Sequence, residues 1–223
     1  MNRAIKGLMI KDLRLLKNQK QFFVVVIGLT IFLVVSMHVD LAFSIGYITM
    51  MFTFFTLSTL TYDEYENGAT YLFTLPITRK DYVREKYLFG FWVGTVSCSL
   101  TSLIIYIVDI VTKNEIDAKS YLVGIGAVLV MAWLLLAVEI PVQLKFGHDK
   151  GKMASMVSLV LIVLIVIFLK SIAQLAGMEL ANVIERIAGL DIKVIALIAI
   201  GGIIVILYTS YRISLWIVQK RQF

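Results

Sequence analysis

Six long apolar runs alternate with short polar segments along the chain. A helix rises 1.5 Å per residue, so about 20 residues cross a hydrocarbon core about 30 Å thick. Each run is long enough for that, and the first is the shortest. The pattern predicts an all-α integral membrane protein in which residues 1–223 form one transmembrane domain. The six predicted spans lie near residues 21–38, 41–61, 88–111, 121–142, 153–173 and 194–216.

The first 20 residues are amphipathic rather than uniformly apolar. At 100° per residue, side chains such as Ile5, Leu8 and Leu15 share one arc, and the basic side chains share the other. This predicts an N-terminal interfacial helix in the headgroup plane. The alternative is a basic tail that only follows the positive-inside rule. Asp12 is an exception, because its carboxylate falls within the apolar arc.

Residues 171–193 also mix apolar and polar positions at short helical spacing. They predict an amphipathic segment between spans five and six, lying on the opposite side of the membrane from the N-terminal helix.

Residues 62–87 are the longest charged interruption between apolar runs. Leu75 precedes Pro76 and is therefore pushed out of helical geometry. Thr78 can cap the next helix, whose first turn contains Asp81. The segment predicts a helix with Tyr62 and Leu72 on one side, then a break, then a second helix. We call residues 62–87 the elbow.

The chain is 60% hydrophobic, has a mean hydropathy of +0.90 and carries a formal charge of +6. Sixteen of its 21 lysines and arginines fall on one side if the spans alternate, and five fall on the other. Under the positive-inside rule, both termini and the elbow are cytoplasmic in a multi-pass protein of the cell membrane. The basic excess thus reports topology and lipid contact, and no nucleic-acid partner is expected.

Four threonines, Thr49, Thr53, Thr56 and Thr59, place their hydroxyls on one face of the second span. Such a stripe can line an aqueous path or bond to a neighbouring helix. The alternative is that each hydroxyl bonds back to its own helix.

The end of the fourth span contains a carboxylate, Glu139, and a proline, Pro141. Intramembrane carboxylates are functional candidates, but this position near the span end favours snorkelling or pairing with Lys145. Pro141 is expected to kink or end the helix. Gly147 and Gly151 are expected to break the helix in a short loop that follows.

The sequence contains no recognisable catalytic, cofactor or metal site. The two histidines, His38 and His148, fall on opposite sides of the membrane, and His38 is expected to be a solvated interface residue. The segment from Gly147 to Met153 lacks the glycine spacing and the Ser or Thr of a phosphate-binding loop. An intramembrane enzyme is therefore disfavoured. A secondary transporter would need charges near the midplane, and Glu139 is the nearest candidate.

The elbow carries a succession of motifs: acidic residues, Gly68-Ala69-Thr70, Leu72-Phe73-Thr74-Leu75-Pro76-Ile77-Thr78-Arg79, Val83 and Lys86-Tyr87. In this succession, and in its predicted topology over the whole length, the chain resembles the permease subunits of type-2 ATP-binding-cassette exporters. The resemblance implies that the elbow contains a coupling helix, which seats in a separate ATPase subunit. The coupling residues it implies are Asp63, Glu64, Glu66, Gly68, Thr70, Leu72 and Phe73.

The resemblance also implies the assembly. Two permease copies, expected to form a homodimer, would pair with two ATPase subunits, which bind the ATP and Mg²⁺. Spans one and five would lie at the seam, and span two, with its threonine stripe, would line the path.

Within the family, the chain looks most like permeases of Gram-positive peptide exporters, which handle phenol-soluble modulins, bacitracin or lantibiotics. An amphipathic peptide substrate is expected from this resemblance. A lipid-like or polysaccharide substrate on the same fold is the alternative.

Overall fold

The computed structural model describes residues 3–37, 41–65, 68–112, 118–175 and 192–221. These ranges fold into helices joined by short connections, with no strand among them, so the all-α class is confirmed for this part of the chain. The helices are α1 (Arg3–Asn18), α2 (Lys20–Met37), α3 (Leu41–Glu64), α4 (Gly68–Leu72), α5 (Arg79–Thr112), α6 (Ala118–Leu175) and α7 (Ile192–Lys220).

Four helical stretches of the described residues are long and apolar enough to cross a membrane: Phe43–Glu64, Arg79–Ile107, Tyr121–Gly147 and Ile200–Lys220. A fifth arises if α1 and α2, which meet at a 59° bend, act together as one broken span. A multi-pass membrane protein is thus confirmed, and the count of six spans stays a prediction. The predicted span at 153–173 falls within α6. His38 and most of the predicted segment at 171–193 lie outside the described residues.

Helix α6 reverses direction at Gly147, whose backbone is non-helical (φ 72°, ψ −168°). Beyond the break, Ser155 faces Gln143, with 3.5 Å between Oγ and Oε1. Farther from the break, Ser158 donates a hydrogen bond to Glu139 across 2.6 Å. Each pair joins a residue before Gly147 to a residue after it, and the pair that starts farther before the glycine also ends farther after it. The two parts of α6 therefore run antiparallel. The predicted break at Gly147 is confirmed.

One expectation for this region is wrong, and another is wrong in part. Pro141 does not end the helix, which continues to the break at Gly147, and a kink at Pro141 stays a prediction. Ile140 and Leu144 are buried on either side of the proline, and their packing offsets the one backbone hydrogen bond that proline removes. Gly151 is not a breaker either. It lies inside the helix, against the Gln143 side chain, where a Cβ would be 2.6 Å from Nε2.

Helix α5 packs into the space between α3 and α6. At Gly90, an added Cβ would lie 2.9 Å from Leu136 Cδ1 on α6 and 3.1 Å from Thr56 Cγ2 on α3. The absence of a side chain at this position allows the three helices to approach so closely, as small residues do in membrane helix packing.

Six helices meet in one hydrophobic cluster, which we call the elbow core. It contains a buried side chain from each of them: Leu8 (α1), Leu60 (α3), Leu72 (α4), Val83 (α5), Ile140 (α6) and Val218 (α7). The elbow core therefore brings the elbow to the end of the bundle where α1 and the last turn of α7 lie.

The elbow differs in part from its prediction. Helix α3 continues through Glu64, and α4 is a separate five-residue helix that begins at Gly68. Residues 73–78 form the predicted break around Pro76, and α5 begins at Arg79. The Thr78 hydroxyl accepts a hydrogen bond from the Asp81 backbone N–H at 3.1 Å and donates one to the Asp81 carboxylate at 2.6 Å. The predicted cap is confirmed.

Replacing Thr78 with alanine is expected to lower the free energy of unfolding by about 1 kcal/mol, because the first turn of α5 loses its cap. Chemical unfolding of the purified protein in detergent measures the change. Thr70→Ala, at an exposed position on α4, is the matched control. Equal effects of the two substitutions would contradict a capping role for Thr78.

Candidate functional site

Charged side chains from α1, α3 and α5 form a buried group where the two ends of the elbow meet α1. The Lys86 ammonium lies 2.5 Å from Asp12 Oδ2 and 2.7 Å from Asp63 Oδ2. It also donates a hydrogen bond to Thr59 Oγ1 at 3.1 Å. Lys86 and Asp12 are completely buried, and Asp63 is 8% exposed. Buried charges are costly unless paired, so these contacts hold three helices in one arrangement.

Two further charges complete this group. The Lys11 ammonium lies 3.1 Å from Asp12 Oδ1 and forms an ion pair with Asp63. The Glu85 carboxylate is buried 3.7 Å from the Lys86 ammonium. We call Lys11, Asp12, Asp63, Glu85 and Lys86 the ion cluster. Its two cations and three carboxylates link α1 to α3 and α5, the helices that contain the two ends of the elbow.

The sequence contained one signal for the ion cluster. Asp12 stands in the apolar arc of α1, and that arc faces the bundle. A charged residue on a buried face is rare unless it is paired. Its partner Lys86 is 74 residues away, and the sequence identifies it only as a basic charge and as part of an elbow motif, so the pairing could not be read from spacing.

The inner side of the elbow is packed against the bundle. Leu72 is 8% exposed in the elbow core, and the Phe73 ring meets the Tyr82 ring edge-on, with 5.6 Å between centroids. Gly68 opens α4 where an added Cβ would lie 2.8 Å from the Asp63 carbonyl oxygen. The close approach of Gly68 places α4 directly against the end of α3.

The end of α7 is tied to the elbow by two polar contacts. Arg221 forms an ion pair with Glu64 at the end of α3. Arg79 at the start of α5 donates a hydrogen bond to the Gln219 carbonyl oxygen at 2.6 Å. The elbow is therefore attached to the first and last described helices as well as to its own two spans.

The outer side of the elbow is exposed. Tyr71 is 72% exposed and Leu75 is 42% exposed, and Thr70, Thr74 and Pro76 are exposed with them. We call these five residues the elbow surface. An exposed aromatic and aliphatic surface on a rigid support is suited to binding a protein partner.

A family model described as "ABC-2 family transporter protein" matches residues 7–219. The chain belongs to the ABC-2 transporter family. Comparisons with curated proteins and with solved structures found no match. Membership makes the protein a transmembrane component of an ABC transporter, which is not itself the catalytic subunit. It also implies association with an ABC ATPase.

In this ABC-2 protein, the predicted coupling residues do not form one surface. Asp63 belongs to the ion cluster, and Glu64 pairs with Arg221. Leu72 packs inward and Phe73 is half-buried, whereas Thr70 is exposed and Gly68 is half-buried. Glu66 lies outside the described residues. Their coupling role stays a prediction. Tyr71, Thr74, Leu75 and Pro76 share the exposed side with Thr70 and were not predicted.

The threonine stripe of this ABC-2 protein is buried among its own helices. Thr49, Thr53, Thr56 and Thr59 are each at most 3% exposed. Thr53 donates to the Thr49 carbonyl oxygen at 2.7 Å, and Thr59 donates to the Thr56 carbonyl oxygen at 2.9 Å. Two of the four hydroxyls thus bond back to their own helix. The path-lining role stays a prediction.

Glu139 is completely buried and accepts a hydrogen bond from Ser158. The expectation that it snorkels or pairs with Lys145 is therefore wrong. The reversal of α6 at Gly147 places Ser158 opposite Glu139, and Lys145 is exposed with its ammonium 5.5 Å from the centre of the Phe146 ring.

Proposed function

We propose that this ABC-2 protein is the permease half of an exporter and that a separate ATPase docks on the elbow surface. The observation that carries the proposal is the two-sided elbow. One side is packed into the bundle by Leu72 and Phe73, and the other exposes Tyr71 and Leu75. A partner that closes on ATP would push on the exposed side. The ATP and Mg²⁺ would be bound by that partner.

The ion cluster makes the elbow a suitable element to transmit such a push. It joins α3 and α5 to α1 through charges that cannot separate without leaving a buried ion unpaired. A displacement of the elbow would therefore move α1, α3 and α5 together. Such rigid-body shifts between two packed arrangements are the usual basis of switching in proteins. In this proposal they drive alternating access.

Both termini are proposed to be cytoplasmic. The segments richest in lysine and arginine include α1, the elbow, the turn at Gly147 and the end of α7. They lie at the same end of the bundle, where Arg221 and Glu64 flank Gly147. This arrangement supports one basic face, and the positive-inside rule assigns that face to the cytoplasm of a cell membrane. A homodimer of permeases with two ATPases is the proposed assembly, which would complete a path around the seam.

The proposed substrate is an amphipathic peptide of the phenol-soluble modulin type. A cavity of about 610 Å³ between α1, α2, α3 and α5 supports an amphipathic ligand. Its walls are mostly apolar and include a few hydroxyls, such as those of Thr30, Ser97 and Thr101. A lipid-like substrate would suit the same walls and is the second candidate. Export of labelled peptide or labelled lipid from vesicles containing the full transporter would separate the two.

Substituting aspartate for Tyr71 or Leu75 is expected to weaken ATPase binding by about 30-fold, the loss typical of an interface hot spot. Both side chains are exposed, so the fold should remain intact. The measurement is co-purification of the permease with each ATPase encoded beside it, followed by titration of the pair that associates. Lys150→Asp, at an exposed position beside the α6 break, is the control for added negative charge at this end.

Retention of the ATPase by both elbow variants would place the docking surface elsewhere. Failure of every neighbouring ATPase to associate with the native chain would contradict the exporter proposal itself.

A further inference from the structure

A second groove, of about 400 Å³, lies between α5, α6 and α7. It is separate from the elbow surface and from the cavity proposed for substrate. It is lined by an arginine, five aromatic residues and three leucines: Arg84, Tyr87, Leu88, Phe91, Trp133, Leu136, Leu207, Tyr208 and Tyr211. Phe91 is 43% exposed and Tyr208 is 59% exposed, so the groove opens sideways, toward the surroundings of the bundle.

The aromatic rings of the groove are held in place by one another. Phe91 and Trp133 stack with 4.5 Å between centroids and 22° between planes. Tyr87 meets Tyr211 edge-on at 5.9 Å, and its hydroxyl lies 2.8 Å from Ser214 Oγ. The groove is therefore a preformed apolar surface, which lowers the entropic cost of binding.

Two arginines lie at one end of this surface. Arg84 lines the groove and is exposed, and it makes no ion pair with a carboxylate of the described residues. Arg212 is exposed and donates a hydrogen bond to the Tyr208 hydroxyl at 3.3 Å. Because α5 starts and α7 ends at the elbow, both arginines lie on the elbow side of the aromatic rings. The groove thus has a cationic end and an apolar body.

We propose that this groove binds one anionic phospholipid from the surrounding leaflet. Arg84 and Arg212 would hold the phosphate, and the Phe91 and Trp133 rings would contact the acyl chain. Arg84 and Phe91 are seven residues apart, which is about 10 Å along a helix, the depth over which headgroup gives way to acyl chain. Basic pockets between transmembrane helices bind anionic headgroups.

Trp133 itself can report the occupant. In a Trp92→Phe, Trp216→Phe background it is the sole tryptophan, and bromine on a neighbouring acyl chain quenches its fluorescence. The protein is reconstituted in two kinds of vesicle. One mixes brominated phosphatidylglycerol with plain phosphatidylcholine, and the other mixes plain phosphatidylglycerol with brominated phosphatidylcholine. We expect phosphatidylglycerol to bind more tightly by about fivefold for each arginine engaged.

In the Arg84→Gln, Arg212→Gln double variant, the ratio of the affinity for phosphatidylglycerol to that for phosphatidylcholine is expected to fall to about one, because the two arginines that attract the anionic headgroup are gone. Arg3→Gln, Lys6→Gln removes two exposed charges from α1 and should leave the preference unchanged. Size-exclusion chromatography confirms that each variant is folded. Native mass spectrometry of the native chain should retain one phosphatidylglycerol, and the arginine variant should lose it.

Three results would overturn the proposal. Equal quenching by both brominated lipids would show that the groove does not select anionic headgroups. Weak quenching by either lipid would show that another occupant, such as a second copy of the chain, covers Trp133. An equal loss of preference in the α1 control would assign the effect to overall charge. None of these readouts requires an ATPase, so the proposed function is tested separately.

Discussion

Replacing Lys86 with methionine is expected to lower the free energy of unfolding by about 3–5 kcal/mol, the cost of breaking a buried ion pair. The methionine has a similar shape but no charge, so Asp12 and Asp63 would lose the ammonium that lies within 2.7 Å of each. Chemical unfolding in detergent measures the loss.

The control is Lys80→Met, on the same helix but exposed. We expect it to change stability by no more than about 0.5 kcal/mol, as surface substitutions do. Adding Asp12→Leu and Asp63→Leu to the Lys86 variant should restore much of the loss, because the two carboxylates within 2.7 Å of the ammonium are then removed together with it. A Lys86 variant as stable as the native chain would show that these charges are not buried together.

The same series tests whether the ion cluster transmits force. The restored variant keeps the three helices packed but joins them through apolar contacts, which can slide more easily than paired charges. If the cluster couples the elbow to α1, the restored variant should bind the ATPase normally and transport less per ATP hydrolysed. Unchanged transport would restrict the ion cluster to stability.

Replacing Gly147 with alanine is expected to lower the free energy of unfolding by about 3 kcal/mol, mainly through the backbone penalty. Its backbone (φ 72°, ψ −168°) is in a region that is essentially restricted to glycine. An added Cβ would also lie 2.6 Å from Arg221 Nη2 and 2.9 Å from Glu64 Oε2. The substitution should therefore disturb both the α6 reversal and the tie between α3 and α7.

Gly126→Ala is the matched control on the same helix, since an added Cβ there meets nothing within 4 Å. Alanine should be neutral or stabilising by up to about 1 kcal/mol at such a helical position. Limited proteolysis near residue 147, compared between the two variants, shows whether the turn itself has opened. A Gly147 variant that matches the control would contradict the backbone reversal.

Local patterns predicted much of the architecture. The apolar runs indicated helices long enough to span a membrane, and four such helices are present among the described residues. The Thr78 cap and the break at Pro76 were also predictable, because both depend on neighbouring residues within one turn. Pro141 does not end its helix, because packing by Ile140 and Leu144 outweighs that local preference.

The candidate site depended on contacts that local patterns do not encode. Asp12 could be recognised as an exception on an apolar face, but its buried partner Lys86 comes from another helix, α5. Glu139 and Ser158 are brought together only by the reversal of α6. The sequence placed the predicted coupling residues in the elbow, whereas which of them face outward was decided by how Leu72 and Phe73 pack.

The sequence by itself determined that this protein is a helical membrane protein with a capped elbow, because hydrophobic length, helix caps and proline geometry act over a few residues. Family membership was likewise determined from the sequence, which a family model matches over residues 7–219. Only the tertiary structure decided that the elbow is joined to α1 by buried charges and that the threonine stripe faces inward. Those features depend on which helix faces meet, and the energy of a buried charge is set by partners far away in sequence.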